Sequence, residues 1–150
     1  MNKAKADDLR IRLGFDFMYQ SESDGKAGGL VLFYMKDYDV VLNYKSANFI
    51  DVLFMADDVV DWRLTGFYGV PAWDQRSLSW QFLRDLHAKG SHPWVVYGDF
   101  NEIMFASEKE GGNARSNSMM QAFRDCLLDC GLEDLGYKGD CFTWQRGEIQ

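Results

Sequence analysis

Apolar residues fall in short continuous runs in the first half of this chain and at helical spacing in much of the second. Leu30–Met35, Tyr38–Tyr44, Phe49–Ala56 and Val59–Tyr68 are runs of strand length, the second rich in valine, with Asp57-Asp58 as the polar break between the last two. Connections this short favour antiparallel hairpins. An earlier strand is expected over Asp16–Glu22, after a short helix over Ala6–Leu13 in which Ala6, Leu9, Ile11 and Leu13 sit among charges. Ser21–Gly29 reads as a polar turn. From Trp73 the period changes: Trp73, Leu78, Trp80, Phe82, Leu83, Leu86 and His87 predict a helix, with Gly90 as its stop. Trp94–Tyr97 predicts a buried strand, Ser107–Asn117 a long polar loop, and Ser118–Cys130 a second amphipathic helix ended by Gly131. Leu132–Leu135 is short and apolar, and Phe142-Thr143-Trp144 predicts a last strand. A meander of strands followed by helix, strand, helix, strand reads as α+β, with mixed β-sheets covered by helices.

Composition narrows the class. At 150 residues the chain has the size of one domain, and 47% hydrophobic residues allow a sizeable core. A net charge of −7 argues against a strong non-specific nucleic-acid binder. It is compatible with a nuclease, because acidic residues are what hold a hard cation such as Mg2+. Cys126, Cys130 and Cys141 are odd in number and loosely spaced, which predicts buried reduced thiols and a reducing compartment, nucleus or cytoplasm. No run approaches the ~20 apolar residues needed to cross a membrane, and no stretch has signal-peptide character.

The candidate chemistry lies in Pro93–Ile103, where a buried strand runs into Gly98-Asp99-Phe100-Asn101. In an extended chain alternate side chains share a face, so Asp99 and Asn101 point together while Phe100 turns into the core. The carboxylate is suited to orient or deprotonate a water, and the amide NH2 to hold a phosphoryl oxygen. That combination suits phosphate-ester hydrolysis; a strand ending in an ordinary Asp-containing turn is the plainer alternative. Alternation sends Glu102 away from Asp99, so it is expected to be solvated or loop-capping, and Glu108 and Glu110 to form a solvated charged loop. His87 sits at a helix end and His92 before a proline.

Four segments in order, Gly28-Gly29-Leu30, Trp62–Gly69, Gly98–Glu102 and Phe142-Thr143-Trp144, resemble the endonuclease/exonuclease/phosphatase superfamily with its DNase I-like fold. Within it the chain looks most like the endonuclease region of plant LINE-type retrotransposons and their domesticated relatives. The resemblance covers nearly the whole chain. It implies two β-sheets packed face to face with helices outside, a DNase I-like α/β sandwich, and Mg2+-dependent cleavage of DNA phosphodiesters. Asp99 matches the aspartate that orients or activates the attacking water, and Asn101 the asparagine that binds the scissile phosphate. Tyr68 matches the active-site tyrosine at the end of an earlier strand. Thr143 is carried over as a nucleic-acid contact only.

The resemblance also implies a metal-binding glutamate near the family's start and an Asp-His pair at its end. Neither is matched between Met1 and Gln150, and neither His87 nor His92 substitutes by position. Residues 1–150 are therefore expected to form a partial, incomplete domain, a retroelement-derived endonuclease fragment inactive as it stands. Two other readings stay open: a non-catalytic partner- or nucleic-acid-binding domain on the same scaffold, and a small-substrate phosphoesterase. The second ranks lower because the chain lacks a basic stretch suited to a polyphosphate headgroup.

Overall fold

A computed structural model describes residues 2–21, 29–140 and 142. Its elements are α1 (Lys3–Leu13), β1 (Phe17–Gln20), β2 (Val31–Tyr34), β3 (Asp39–Lys45), β4 (Phe49–Ala56), β5 (Val59–Tyr68), α2 (Ser77–His87), β6 (Trp94–Asp99) and α3 (Asn117–Asp129), with single 3-10 turns at Trp73–Gln75 and Ala106–Glu108. The strands form a two-stranded sheet, β1-β2, and a four-stranded sheet of order β3-β4-β5-β6. All neighbours are antiparallel except β5 and β6, which run parallel and are joined through α2. The architecture is the α+β arrangement of two sheets and flanking helices expected from the pattern.

The four-stranded sheet is apolar on both faces, which is why its strands read as continuous runs rather than as alternation. On one face Val40, Ile50 and Val52 pack against Leu32 of the small sheet. On the other, Phe67 meets Trp80 and Leu83 of α2 and Phe123, Cys126 and Cys130 at α3. The Trp80 and Phe123 rings stack with centroids 4.6 Å apart. The Cys126 thiol is pushed up from its ordinary range by its neighbour Cys130 and by burial, so it stays an apolar core group. Among the described residues no helix is long and apolar enough to cross a membrane.

Several element ends differ from expectation for local reasons. α1 begins at Lys3 rather than Ala6 because the Asn2 side chain accepts the Lys5 N–H at 2.9 Å and caps the helix. Ala6 is its one buried residue, so apolar spacing alone could not locate its start. β1 is shorter than the apolar stretch around it, and β6 runs on to Asp99. Leu132–Leu135 forms no regular element. The strand expected at Phe142-Thr143-Trp144, and with it the Thr143 contact, lies outside the described residues apart from Phe142.

A charged cluster is buried between the large sheet and α2. Arg63 donates through Nε to Asp51 Oδ1 at 2.8 Å, and Asn43 donates to Asp51 Oδ2 at 2.8 Å. Thr65 also donates to Asp51, and Trp94 Nε1 donates to Thr65 at 2.8 Å. Arg63 Nη1 reaches the Leu86 carbonyl at 2.7 Å. That carbonyl lies in the last turn of α2 and also accepts the Lys89 N–H at 3.2 Å, so the arginine is an added donor that ties the helix to the sheet.

Candidate active site

The parallel register places Tyr68, the last residue of β5, beside Asp99, the last residue of β6. Both strands therefore end at one edge, with their outgoing loops side by side, the usual place for a site in a parallel pair. Alternation puts Trp94 and Val96 in the helix-side core and leaves Tyr97 and Asp99 on the other face with Tyr68.

Two glycines let the loops touch. A Cβ on Gly69 would lie 2.1 Å from the Phe100 carbonyl oxygen, and one on Gly98, whose φ is 145°, would lie 1.9 Å from that of Phe67. No side chain fits either place. The Gly69 N–H donates to the Asp99 carbonyl at 2.7 Å. On the far side of β5, Asn48 accepts the Tyr68 N–H at 2.7 Å and donates Nδ2 to the Tyr68 carbonyl at 2.8 Å. The Ser46-Ala47-Asn48 segment reads in sequence only as punctuation between strands, so this support of Tyr68 carried no signal there.

Asp99 and Asn101 do come together, but not by extended alternation. Asn101 has a left-handed backbone, φ 55°. Its N–H turns back to donate to Asp99 Oδ1 at 2.8 Å, and its Nδ2 donates to the Gly69 carbonyl at 2.8 Å. Asparagine tolerates this conformation better than most residues. Phe100 is half-buried on the opposite side, with its ring centroid 5.4 Å from those of both Phe67 and Phe123. The Asp99 carboxylate is exposed, so Oδ2 faces solvent while Oδ1 is held by the Asn101 amide.

A pocket of about 190 Å3 opens beside this corner, between the two sheets. Leu30, Leu32 and Ile50 line it with Tyr68 and Tyr97, and Asp99 is the charged group in its wall. The Tyr97 ring lies over Gly66, where an added Cβ would be 3.7 Å from the ring.

Two acidic residues behave differently from expectation. Glu102 is not solvated. Its side chain is fully buried, with Arg76 Nη1 at 3.0 Å from Oε2 and Arg115 Nε at 3.4 Å from Oε1. Because the chain turns at Asn101, strand alternation no longer decides where Glu102 points. Glu108 accepts the N–H groups of Phe105, at 2.9 Å, and Met104, at 3.3 Å, and so organises the 3-10 turn in the loop instead of being merely solvated. Neither histidine reaches the corner. His87 stacks beside Trp94, centroids 6.2 Å apart, and His92 precedes β6 at its other end. Among the described residues no three carboxylate, imidazole or thiol groups come together as a metal site.

Residues 3–148 match the model of the Endonuclease/Exonuclease/phosphatase family, so the chain belongs to that family. Among solved structures it is similar to the endonuclease domain of TRAS1, a telomere-specific non-LTR retrotransposon, with a TM-score of 0.61 and 18% identity over 90% of this chain and 67% of that one. At that identity the likeness speaks for the fold. No curated protein matches the chain significantly. The family is generally metal-dependent, and a nuclease family acts on nucleic acid.

Proposed function

We propose that the corner formed by Tyr68, Asp99 and Asn101 is the phosphate-facing part of a DNA endonuclease domain of the LINE retroelement type. The observation that carries this reading is the joining of two loops, through Gly69, Asp99 and Asn101, around one exposed carboxylate. Asp99 Oδ2 is free to accept a proton from a water, while the Asn101 backbone N–H fixes the other oxygen. One amide hydrogen of Asn101 is held by Gly69, and the second is left for a phosphoryl oxygen. Tyr68, supported on both sides, offers its phenol to the same group. Mg2+ is the cofactor this reading brings. Among the described residues Asp99 is the carboxylate at the corner that would meet it, with no assembled ligand set around it. Duplex DNA as substrate fits a reducing compartment, nucleus or cytoplasm, in keeping with the two free buried thiols Cys126 and Cys130.

The test is nicking of supercoiled plasmid in Mg2+ by the protein carrying this chain, with Asp99→Ala beside it. A loss of about 100-fold or more in the variant supports the reading. Undiminished nicking by Asp99→Ala overturns it. The second reading, a non-catalytic nucleic-acid- or partner-binding domain, draws on both histidines lying away from the corner. Duplex binding without any nicking, equal in Asp99→Asn, selects it.

A further inference from the structure

The loop that follows Asn101 is tied to the loop that follows Tyr68 by a second set of bonds, made by charged side chains. Glu102 is held from three sides: by Arg76 Nη1 at 3.0 Å, by Arg115 Nε at 3.4 Å and by the Ile103 N–H at 3.1 Å. Arg76 is buried too, with its side chain 8% exposed, and its Nη2 donates to the Pro71 carbonyl at 3.4 Å. One guanidinium thus bridges the 69–71 loop and the Glu102 carboxylate. Arg76 stands one residue before α2, so the bridge also rests on a fixed helix. Arg76 Nε is buried without a hydrogen-bond partner. A buried charge kept in that state is costly, and this one joins the two loops on which the corner depends.

We propose that Glu102, acting through Arg76, is a positioning residue for the corner. It holds the left-handed turn at Asn101 against Gly69 and so sets where the Asn101 amide and the Asp99 carboxylate point. The inference rests on the phosphodiester reading of the corner, but its structural content stands without activity. Glu102→Gln removes the charge and keeps the shape. Arg76→Lys keeps the charge and loses the planar fork that reaches two acceptors at once.

The experiment is amide hydrogen exchange on the intact protein and both variants, with plasmid nicking measured in parallel. Two amides report the corner: Gly69, which donates to the Asp99 carbonyl, and Asn101, which donates to the Asp99 carboxylate. In each variant these two are expected to exchange about 10-fold faster, an opening easier by about 1.4 kcal/mol, while amides of α2 and α3 change less than about twofold. Nicking is expected to lose about 10-fold in kcat with KM within about twofold. A merely structural role would speed exchange everywhere and leave kcat per folded molecule unchanged, and that result overturns the proposal. Unchanged exchange at Gly69 and Asn101 overturns it as well. Local exchange with no nicking by any protein leaves the positioning role intact and counts against the endonuclease reading alone.

Discussion

Among the described residues, the side chains of Asp51 and Glu102 are buried to zero exposure and each is bound by arginine, yet they hold different things. Asp51 sits within regular strands. Its partners Arg63, Thr65 and Asn43 come from β5 and β3, and both its oxygens are bonded by well-aligned donors. Glu102 sits between loops, with two arginines against one carboxylate, one of them 32% exposed at its side chain. Arg115 meets Glu102 as an ion pair without hydrogen-bond alignment. The strand cluster satisfies its carboxylate fully, leaves Arg63 Nη2 buried without a partner, and ties sheet to helix. The loop cluster keeps surplus positive charge and ties one loop to another. The same chemistry therefore fixes a core in one place and a corner in the other, and the two should fail differently.

The largest expected effect is that of Asp51→Ala, which strands a fully buried Arg63 without its partner. Breaking a buried pair from one side costs about 3–5 kcal/mol, a large part of an ordinary domain's 5–15 kcal/mol. Urea unfolding should show a strongly lowered midpoint, and a loss under about 1 kcal/mol would erase the contrast drawn here. Gly69→Ala comes next. Its Cβ meets the Phe100 carbonyl at 2.1 Å, so the loops must part at a cost of about 1–3 kcal/mol. A sharper outcome is that the Asn101 amide loses its protection from exchange while the helix-side core keeps its own. Glu102→Gln is expected to lower stability by less than about 0.5 kcal/mol in the same urea experiment, far below Asp51→Ala, because its loss opens the corner locally and Arg115 can turn to water.

The smallest effect belongs to Tyr34, on the small sheet. Its hydroxyl pKa is raised to about 12, first by burial and then by the neighbouring Tyr19 hydroxyl. The folded state therefore holds this proton more tightly than the unfolded chain, where tyrosine titrates near 10. The stabilisation is complete below about pH 10 and is lost as pH rises through about 12. A thermal midpoint that falls over this window, and falls less steeply in Tyr34→Phe, is the expected result.

Phe49–Ala56 and Val59–Tyr68 could be read to the residue because both faces of those strands are covered, and continuous apolarity is the signature of that environment. α2 and α3 were visible in their one-sided spacing. The beginning of α1 was not, since it is set by a cap and buries a single alanine. The meeting of Asp99 with Asn101 was anticipated for the wrong local reason: the side chains converge through a left-handed turn, which a residue period of two cannot represent. Asp51 and Arg63 look like flaws in apolar runs until the strands are paired. Glu102 does cap the loop at the Ile103 N–H, but its burial was missed because its partners, Arg76 and Arg115, lie 26 and 13 residues away, and nothing local announces a buried pair of that separation.

The β5–β6 pair has a consequence for how the protein is made. Its bond from Asn101 to Gly69 spans 32 residues, whereas the β3-β4-β5 pairings are hairpins between neighbours. During synthesis the Tyr68 side of the corner leaves the ribosome first. At about 5–20 residues per second, the Asp99 side follows roughly 2–6 s later. A three-stranded ribbon can form in that interval with β5 as its open border, while α2 has yet to dock. The nascent chain therefore carries an unpaired strand edge for seconds, and arrival of β6 both closes that edge and completes the corner. Pairing of the β5 edge and completion of the corner are then a single event.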